Sequence, residues 1–214
     1  MNTKKLTALA MLSAIAFVMT AFVRVPVVLF LRYDPKDIII VIGGFIFGPM
    51  AAFAITVVVA VIQMFTVSQT GPWGLLMNII ASGAFCCTAA YIYQKNRTMK
   101  GAVYGLVAGF FVSTAAMMFW NYIVTPLYMG VPRADVVRLL LPAILPFNLI
   151  KNGINVALSI LLYKHVKNVL KMIKLLPSST ESDSPAKFNI GILIATVFVL
   201  VTCVLWVLML QGIL

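Results

Sequence analysis

Apolar residues along this chain run in long stretches separated by short polar segments, at 6–25, 38–67, 73–93, 101–123, 139–163 and 188–210. A helix rises about 1.5 Å per residue, so each stretch is compatible with crossing a hydrocarbon core of roughly 30 Å. The 38–67 stretch is longer than one helix requires and contains Gly43, Gly44, Gly48 and Pro49. A break near 47–50 into two short helices joined by a tight turn is therefore predicted. Charge supports the break. With it, Lys4, Lys5, Lys95, Arg97, Lys100, Lys164, Lys167, Lys171, Lys174 and Lys187 share one side, and Arg24, Arg32, Lys36, Arg133 and Arg138 share the other. The positive-inside rule makes the first side cytoplasmic. Without the break, the 95–100 loop would face outward while Lys4 and Lys5 stayed inside.

The expectation is an all-α integral membrane protein of seven helices with a cytoplasmic N-terminus. A six-helix domain (1–174) is followed by a cytoplasmic linker (175–187) and an additional C-terminal transmembrane helix (188–214). Within the linker, 177–185 (PSSTESDSP) is short, polar and acidic, and reads as flexible. The first stretch resembles a signal sequence, but it is long enough to span and its Ala-x-Ala at 8–10 falls too early for cleavage. It is kept as a helix.

Composition narrows the function classes. Of 214 residues 63% are hydrophobic and 10% charged, and the mean hydropathy is +1.08, which excludes a soluble globular domain. The formal charge of +11 would suggest nucleic acid in a soluble chain, yet the basic residues gather at segment ends, where they set topology. Cys86, Cys87 and Cys203 lie in apolar runs without a nearby His, so they read as packing residues and not as a disulfide framework or zinc site. The chain has no G-x-x-x-x-G-K-[ST] phosphate loop. No acid falls within a membrane segment, which argues against a proton- or sodium-coupled carrier, and no acid pair or His cluster points to catalysis.

Lys151 is the exception inside an embedded stretch, with Asn148, Asn152 and Asn155 at i−3, i+1 and i+4. Residues three and four apart share a helical face, so these four are expected to cluster. An ionisable group facing lipid costs roughly 2.5–3.5 kcal/mol on insertion scales, so a polar site inside the bundle is the expectation. The outer-side acids Asp34, Asp37 and Asp135 all fall in expected loops at 25–37 and 125–138. Either Asp34 or Asp37 folds down onto Lys151, or a ligand with oxygen and nitrogen acceptors does. A further outer loop spans 68–74; Trp73 and Asn78 lie at the outer end of one helix, Trp120, Asn121 and Tyr122 at that of the next. Pro146 is expected near the start of the helix that carries Asn148 and Lys151.

Carboxamides pair a donor with an acceptor and suit an amide or imide edge, and Trp and Tyr supply flat apolar walls. Blander roles compete: an aromatic belt for Trp73, Trp120 and Tyr122, interhelical hydrogen bonding for the Asn residues, and snorkelling for Lys151. Arg24 and Arg32 read as interfacial anchors and His165 as a solvated residue. Ala10 and Ala14 form a small-x-x-x-small pair that suits either internal packing or packing against another subunit.

The runs 33–49 (YDPKDIIIVIGGFIFGP), 71–82 (GPWGLLMNIIAS) and 146–155 (PFNLIKNGIN) together resemble the riboflavin-specific substrate-binding subunit, or S-component, of energy-coupling factor (ECF) transporters, over residues 4–172. The resemblance implies a non-enzymatic binder in a bacterial cell membrane, capturing riboflavin from outside as a transported ligand and not as a cofactor. It also implies a transmembrane coupling protein and two cytoplasmic ATPases as partners, and transport by toppling of the whole subunit. Asn121, Asn148 and Lys151 would contact the flavin beneath a first-loop cap. With Phe30, Tyr33, Trp73, Asn78, Tyr122 and Asn152 they form the expected ligand set. Ala10 and Ala14 would dock the coupling protein. The family usually has six helices, so the terminal helix is a departure. Competing readings are an S-component for another vitamin, a membrane transferase acting on a lipid- or nucleotide-linked substrate, and a structural subunit without a ligand.

Overall fold

The computed structural model describes residues 3–23, 25–28, 31–68, 70–172 and 190–210. Phe30 and the expected linker at 175–187 lie outside the described residues. In chain order the elements are α1 (Thr3–Phe22), a hairpin of β1 (Val25–Val28) and β2 (Leu31–Tyr33), α2 (Lys36–Phe47), α3 (Pro49–Thr66), α4 (Gly71–Lys95) and α5 (Met99–Met129). Then come α6 (Arg133–Leu139), a π turn (Leu140–Ile144), α7 (Leu145–Met172) and α8 (Ile190–Leu210). The molecule is mostly helical. Among the described residues five helical segments are long and apolar enough to cross a membrane: Thr3–Phe22, Pro49–Thr66, Gly71–Lys95, Met99–Leu127 and Arg133–Tyr163.

The predicted break in 38–67 is present at Gly48. Its φ of 94° and ψ of 174° lie where an L side chain is strained, Pro49 opens α3 at its first position, and Gly48 N–H donates to Gly44 O at 2.8 Å. The 12 residues of α2 extend about 18 Å, too short to cross a bilayer core alone. Instead α2 sits in the middle of the bundle, packed against α1, α3, α4 and α7. Gly43 and Gly44 make this possible: a Cβ on Gly44 would lie 2.9 Å from the Ala90 Cβ and 3.0 Å from the Ala52 Cβ. Around α2 the core gathers Leu9 and Ala16, Ile40 and Val41, Ile55 and Val59, Phe85 and Ala89, with Leu106 and Ile160.

Two expectations are corrected. The first outer loop, placed over 25–37 in an all-α chain, instead pairs its β-branched run as an antiparallel ribbon with Val25 opposite Tyr33 and Pro26 opposite Arg32. The third outer loop, expected over 125–138, is nearly all helical. α5 continues through Pro126 and stops at Gly130, which adopts φ 65°. α6 then starts at Arg133 and runs through the π turn straight into α7, so Pro146 lies in the first turn of α7 but not at a free helix start.

The tightest helix contact follows from a ladder of small residues on α5. A Cβ at Gly105 would lie 2.6 Å from Ala89 O, one at Gly109 would lie 2.6 Å from Phe85 O, and Ser113 Oγ donates to Ala81 O at 3.0 Å. As one helix index rises by four the other falls by four, so α4 and α5 are antiparallel with their backbones in near contact. The far end of the bundle is closed by Phe45, Tyr93 and Tyr163, with ring centroids 4.3–6.0 Å apart and the two phenols hydrogen-bonded at 2.9 Å. α8 lies against α7 and β1. There Cys203 fills the space over Gly153, where a Cβ would come within 3.1 Å of its Sγ.

The ladder predicts a contrast between two glycines. Gly109→Ala drives a methyl into a backbone oxygen and lowers stability by about 1–3 kcal/mol, whereas Gly83→Ala meets nothing within 4 Å and leaves it unchanged or slightly raised. Thermal unfolding midpoints in detergent measure both.

Candidate functional site

Lys36 and Asp37 are adjacent at the start of α2, and neighbouring helical positions point about 100° apart. Their opposite charges therefore diverge into separate networks. The Lys36 ammonium donates to both Asp34 oxygens at 3.0 and 2.8 Å and to Asn78 Oδ1 at 2.9 Å. The Asp37 carboxylate accepts from Ser82 Oγ on α4 and from Asn155 Nδ2 on α7 at 3.1 Å, and lies 3.3 Å from Lys151 Nζ. Tyr33 of β2 donates in turn to Asn155 Oδ1 at 3.0 Å. Burial, reinforced by the Asp37 and Asp34 carboxylates, pushes the Tyr33 phenol well above its ordinary value, so it stays a neutral donor.

Relative exposures of 1% for Lys36, 1% for Asp37 and 8% for Lys151 explain why these partners are needed. A buried charge is tolerated when paired and hydrogen-bonded. The positive end of the α2 dipole adds to the stabilisation of Asp37. Asp37 is thus not a loop residue, as expected, but a carboxylate buried inside the bundle. Of the two acids offered for Lys151, Asp37 pairs with it and Asp34 pairs with Lys36. The absence of an embedded acid, one ground against ion coupling, does not hold.

Beside this network lies a cavity of about 220 Å³. Leu31, Arg32 and Asp34 line it from the hairpin side, Gln63 from α3, Met77, Asn78 and Ala81 from α4, Met117, Asn121 and Thr125 from α5, and Phe147, Asn148 and Lys151 from α7. Ser68, Thr70 and Gly74 complete the wall near the α3–α4 connection. Two of the carboxamides are held by their own helices. Asn121 Nδ2 donates to Met117 O at 2.8 Å while its Oδ1 accepts from Thr125 at 3.0 Å, and Asn148 Nδ2 donates to Ile144 O at 2.8 Å. Those bonds fix the side-chain orientation before anything binds.

Of the sequence-derived set, Asn78, Asn121, Asn148 and Lys151 line the cavity together. Tyr33 is buried just outside it, joined through Asn155. Asn152 turns toward α5, where its Nδ2 donates to Thr114 Oγ1 at 3.1 Å. The four polar residues expected on one face of α7 are therefore divided, with 148, 151 and 155 on one side and 152 on another. Trp73 and Tyr122 are 37% and 40% exposed and do not line the cavity. Tyr122 instead lies 6.0 Å from the Arg133 guanidinium. Ala10 and Ala14 are exposed on α1. The ligand set read from the sequence leaves out Ser82 and Gln63, which are isolated polar positions in apolar helices, and it offers Asp37 only as one of two loop acids for Lys151.

Replacing Asp37 tests the hub. Asp37→Ala leaves the Lys151 ammonium buried without its carboxylate and costs about 3–5 kcal/mol, with a smaller loss for Asp37→Asn. An unchanged unfolding midpoint for Asp37→Ala contradicts the role.

Similarity to known proteins agrees with this architecture. A family described as ECF transporter, substrate-specific component, matches residues 4–163. The riboflavin transporter RibU of Staphylococcus aureus (strain TCH60) is 34% identical over 181 residues, covering 80% of this chain and 95% of that protein. The riboflavin transporter FmnP of Bacillus subtilis (strain 168) is 31% identical over 164 residues, or 71% and 85% of the two chains. A solved structure described as the S component of a bacterial ECF transporter superposes with a TM-score of 0.67 at 32% identity, covering 78% of this chain and 98% of that one. With most of its length matched in sequence and in fold, the chain belongs to the family of ECF transporter substrate-specific components.

Proposed function

We propose that this chain is the riboflavin-binding subunit of an ECF-type importer, capturing the vitamin from the extracellular side for ATP-driven uptake by partner subunits. The observation that carries this reading is the cavity in which Asn78, Asn121, Asn148 and Lys151 converge beneath the hairpin. An isoalloxazine presents an imide edge with one donor between two acceptors, which carboxamides complement. Met77, Met117, Leu31 and Phe147 supply apolar surface for the rest of the ring. The charges around the cavity are largely cancelled in the pairs Asp34–Lys36 and Asp37–Lys151, as suits a neutral ligand. Tyr33 and Asn152 support the site from behind the cavity, Tyr33 through Asn155 and Asn152 by tying α7 to α5.

The relatives are named as transporters and the role is non-enzymatic. Closure of the far end by Phe45, Tyr93 and Tyr163 supports capture of solute by this chain and not a continuous channel through it. We infer a cytoplasmic N-terminus, since Lys4, Lys5, Lys95, Arg97 and Lys100 then share the inner side and the hairpin faces out. α1 to α5 with α7 form the six-helix body, and α8 is the additional helix. The exposed Ala10 and Ala14 offer α1 a close approach to a transmembrane coupling protein, which two cytoplasmic ATPases energise.

Purified chain is expected to bind riboflavin more tightly than micromolar, read by quenching of flavin fluorescence. Asn148→Ala and Lys151→Ala each weaken binding by about 1–3 kcal/mol, the cost of a buried polar contact left unmade. Competition by thiamine or biotin in place of riboflavin would transfer the assignment to another vitamin, and absence of any flavin binding would overturn it.

A further inference from the structure

Three buried polar side-chain atoms have no hydrogen-bond partner among the described residues: Gln63 Nε2, Trp120 Nε1 and Ser159 Oγ. Of these residues only Gln63 lines the cavity, and it is 2% exposed. An amide N–H removed from water and left unpaired is unfavourable, so a side chain kept in that state at a cavity wall is matched to an acceptor that arrives with the ligand. The other carboxamides are differently employed. Asn121 and Asn148 each spend an N–H on their own helix, and Asn78 offers its oxygen to Lys36.

Gln63 also has a distinct neighbourhood. Its backbone carbonyl accepts from Ser68 N–H at 2.8 Å, and the Ser68 and Thr70 hydroxyls, 3.2 Å apart, line the same cavity. Gly74 leaves room for them, because a Cβ there would overlap Thr70 Oγ1. One wall near the α3–α4 connection therefore carries an amide donor and two hydroxyls, while the α5 and α7 wall carries Asn121 and Asn148. Hydroxyls both donate and accept, and suit a ligand segment that does the same at successive atoms.

We propose that Gln63, with Ser68 and Thr70, forms the subsite for the hydroxylated side chain of the ligand, Gln63 Nε2 donating to one of its oxygens. The inference rests on the riboflavin reading and divides the cavity into a ring side and a polyol side. Full-length Gln63→Leu and Gln63→Glu are titrated with riboflavin and with lumiflavin, in which a methyl replaces the ribityl chain. Both variants are expected to lose roughly ten-fold in riboflavin affinity, the effect of one unmade hydrogen bond, and to change lumiflavin affinity by less than about two-fold. Retained lumiflavin binding also reports an intact fold. Equal losses for both ligands, or unchanged riboflavin affinity, overturn the subsite. Wild-type protein that binds neither flavin overturns the riboflavin reading itself, whereas wild type that binds riboflavin beside an unaffected Gln63→Leu overturns the Gln63 assignment alone.

Discussion

The Asp37 carboxylate is the interaction on which the rest of the molecule depends. It takes donors from Ser82 on α4 and from Lys151 and Asn155 on α7, and Tyr33 joins the hairpin to it through Asn155. A lone carboxylate in that position would be forced to neutralise or to find water. Because its partners come from separate elements, the electrostatic requirement of one side chain becomes a geometric requirement on four. The side chains that face the cavity inherit that alignment, since Lys151 is part of the network and Asn148 is one helical turn away.

Family membership and physical chemistry arrive at compatible descriptions from different starting points. The matched relatives carry the transport vocabulary, while the cavity supplies the chemistry: fixed carboxamides, paired charges and sulfur-rich apolar walls. Pre-fixing Asn121 and Asn148 through their own helices means little rotamer entropy remains to be lost on binding. The roof is a two-stranded ribbon, which alone is marginally stable, so its order derives from Val27 and Tyr33 packing on Phe147, Ile150 and Cys203.

Much of this was legible in the sequence for identifiable reasons. Gly48 followed by Pro49 can do little inside an apolar run except break it, and an ammonium at Lys151 had to be buried among polar groups. The convergence of Asn78, Asn121, Asn148 and Lys151 followed from placing helix ends on one side. What escaped was tertiary or of short range. The run at 25–33 is too brief for its alternation to distinguish a ribbon from a loop. Asp37 reads as a loop acid until α2 is known to be central. Gln63 is a single polar letter in an apolar stretch, and its meaning appears only with the cavity. The spacing of four from Gly105 to Gly109 to Ser113 is the same small-residue pattern as Ala10 and Ala14, and only the packed α4 backbone distinguishes the two.

The π turn between α6 and α7 carries a constraint of another kind. A wide turn of this sort accommodates an extra residue within a continuous helix, so the angular phase of everything after Ile144 depends on how many residues precede it. Losing one there would rotate Asn148, Lys151 and Asn155 by about 100° relative to α6 and carry them off the cavity with their identities intact. The number of residues at that joint is therefore as much a determinant of the cavity as the side chains that line it.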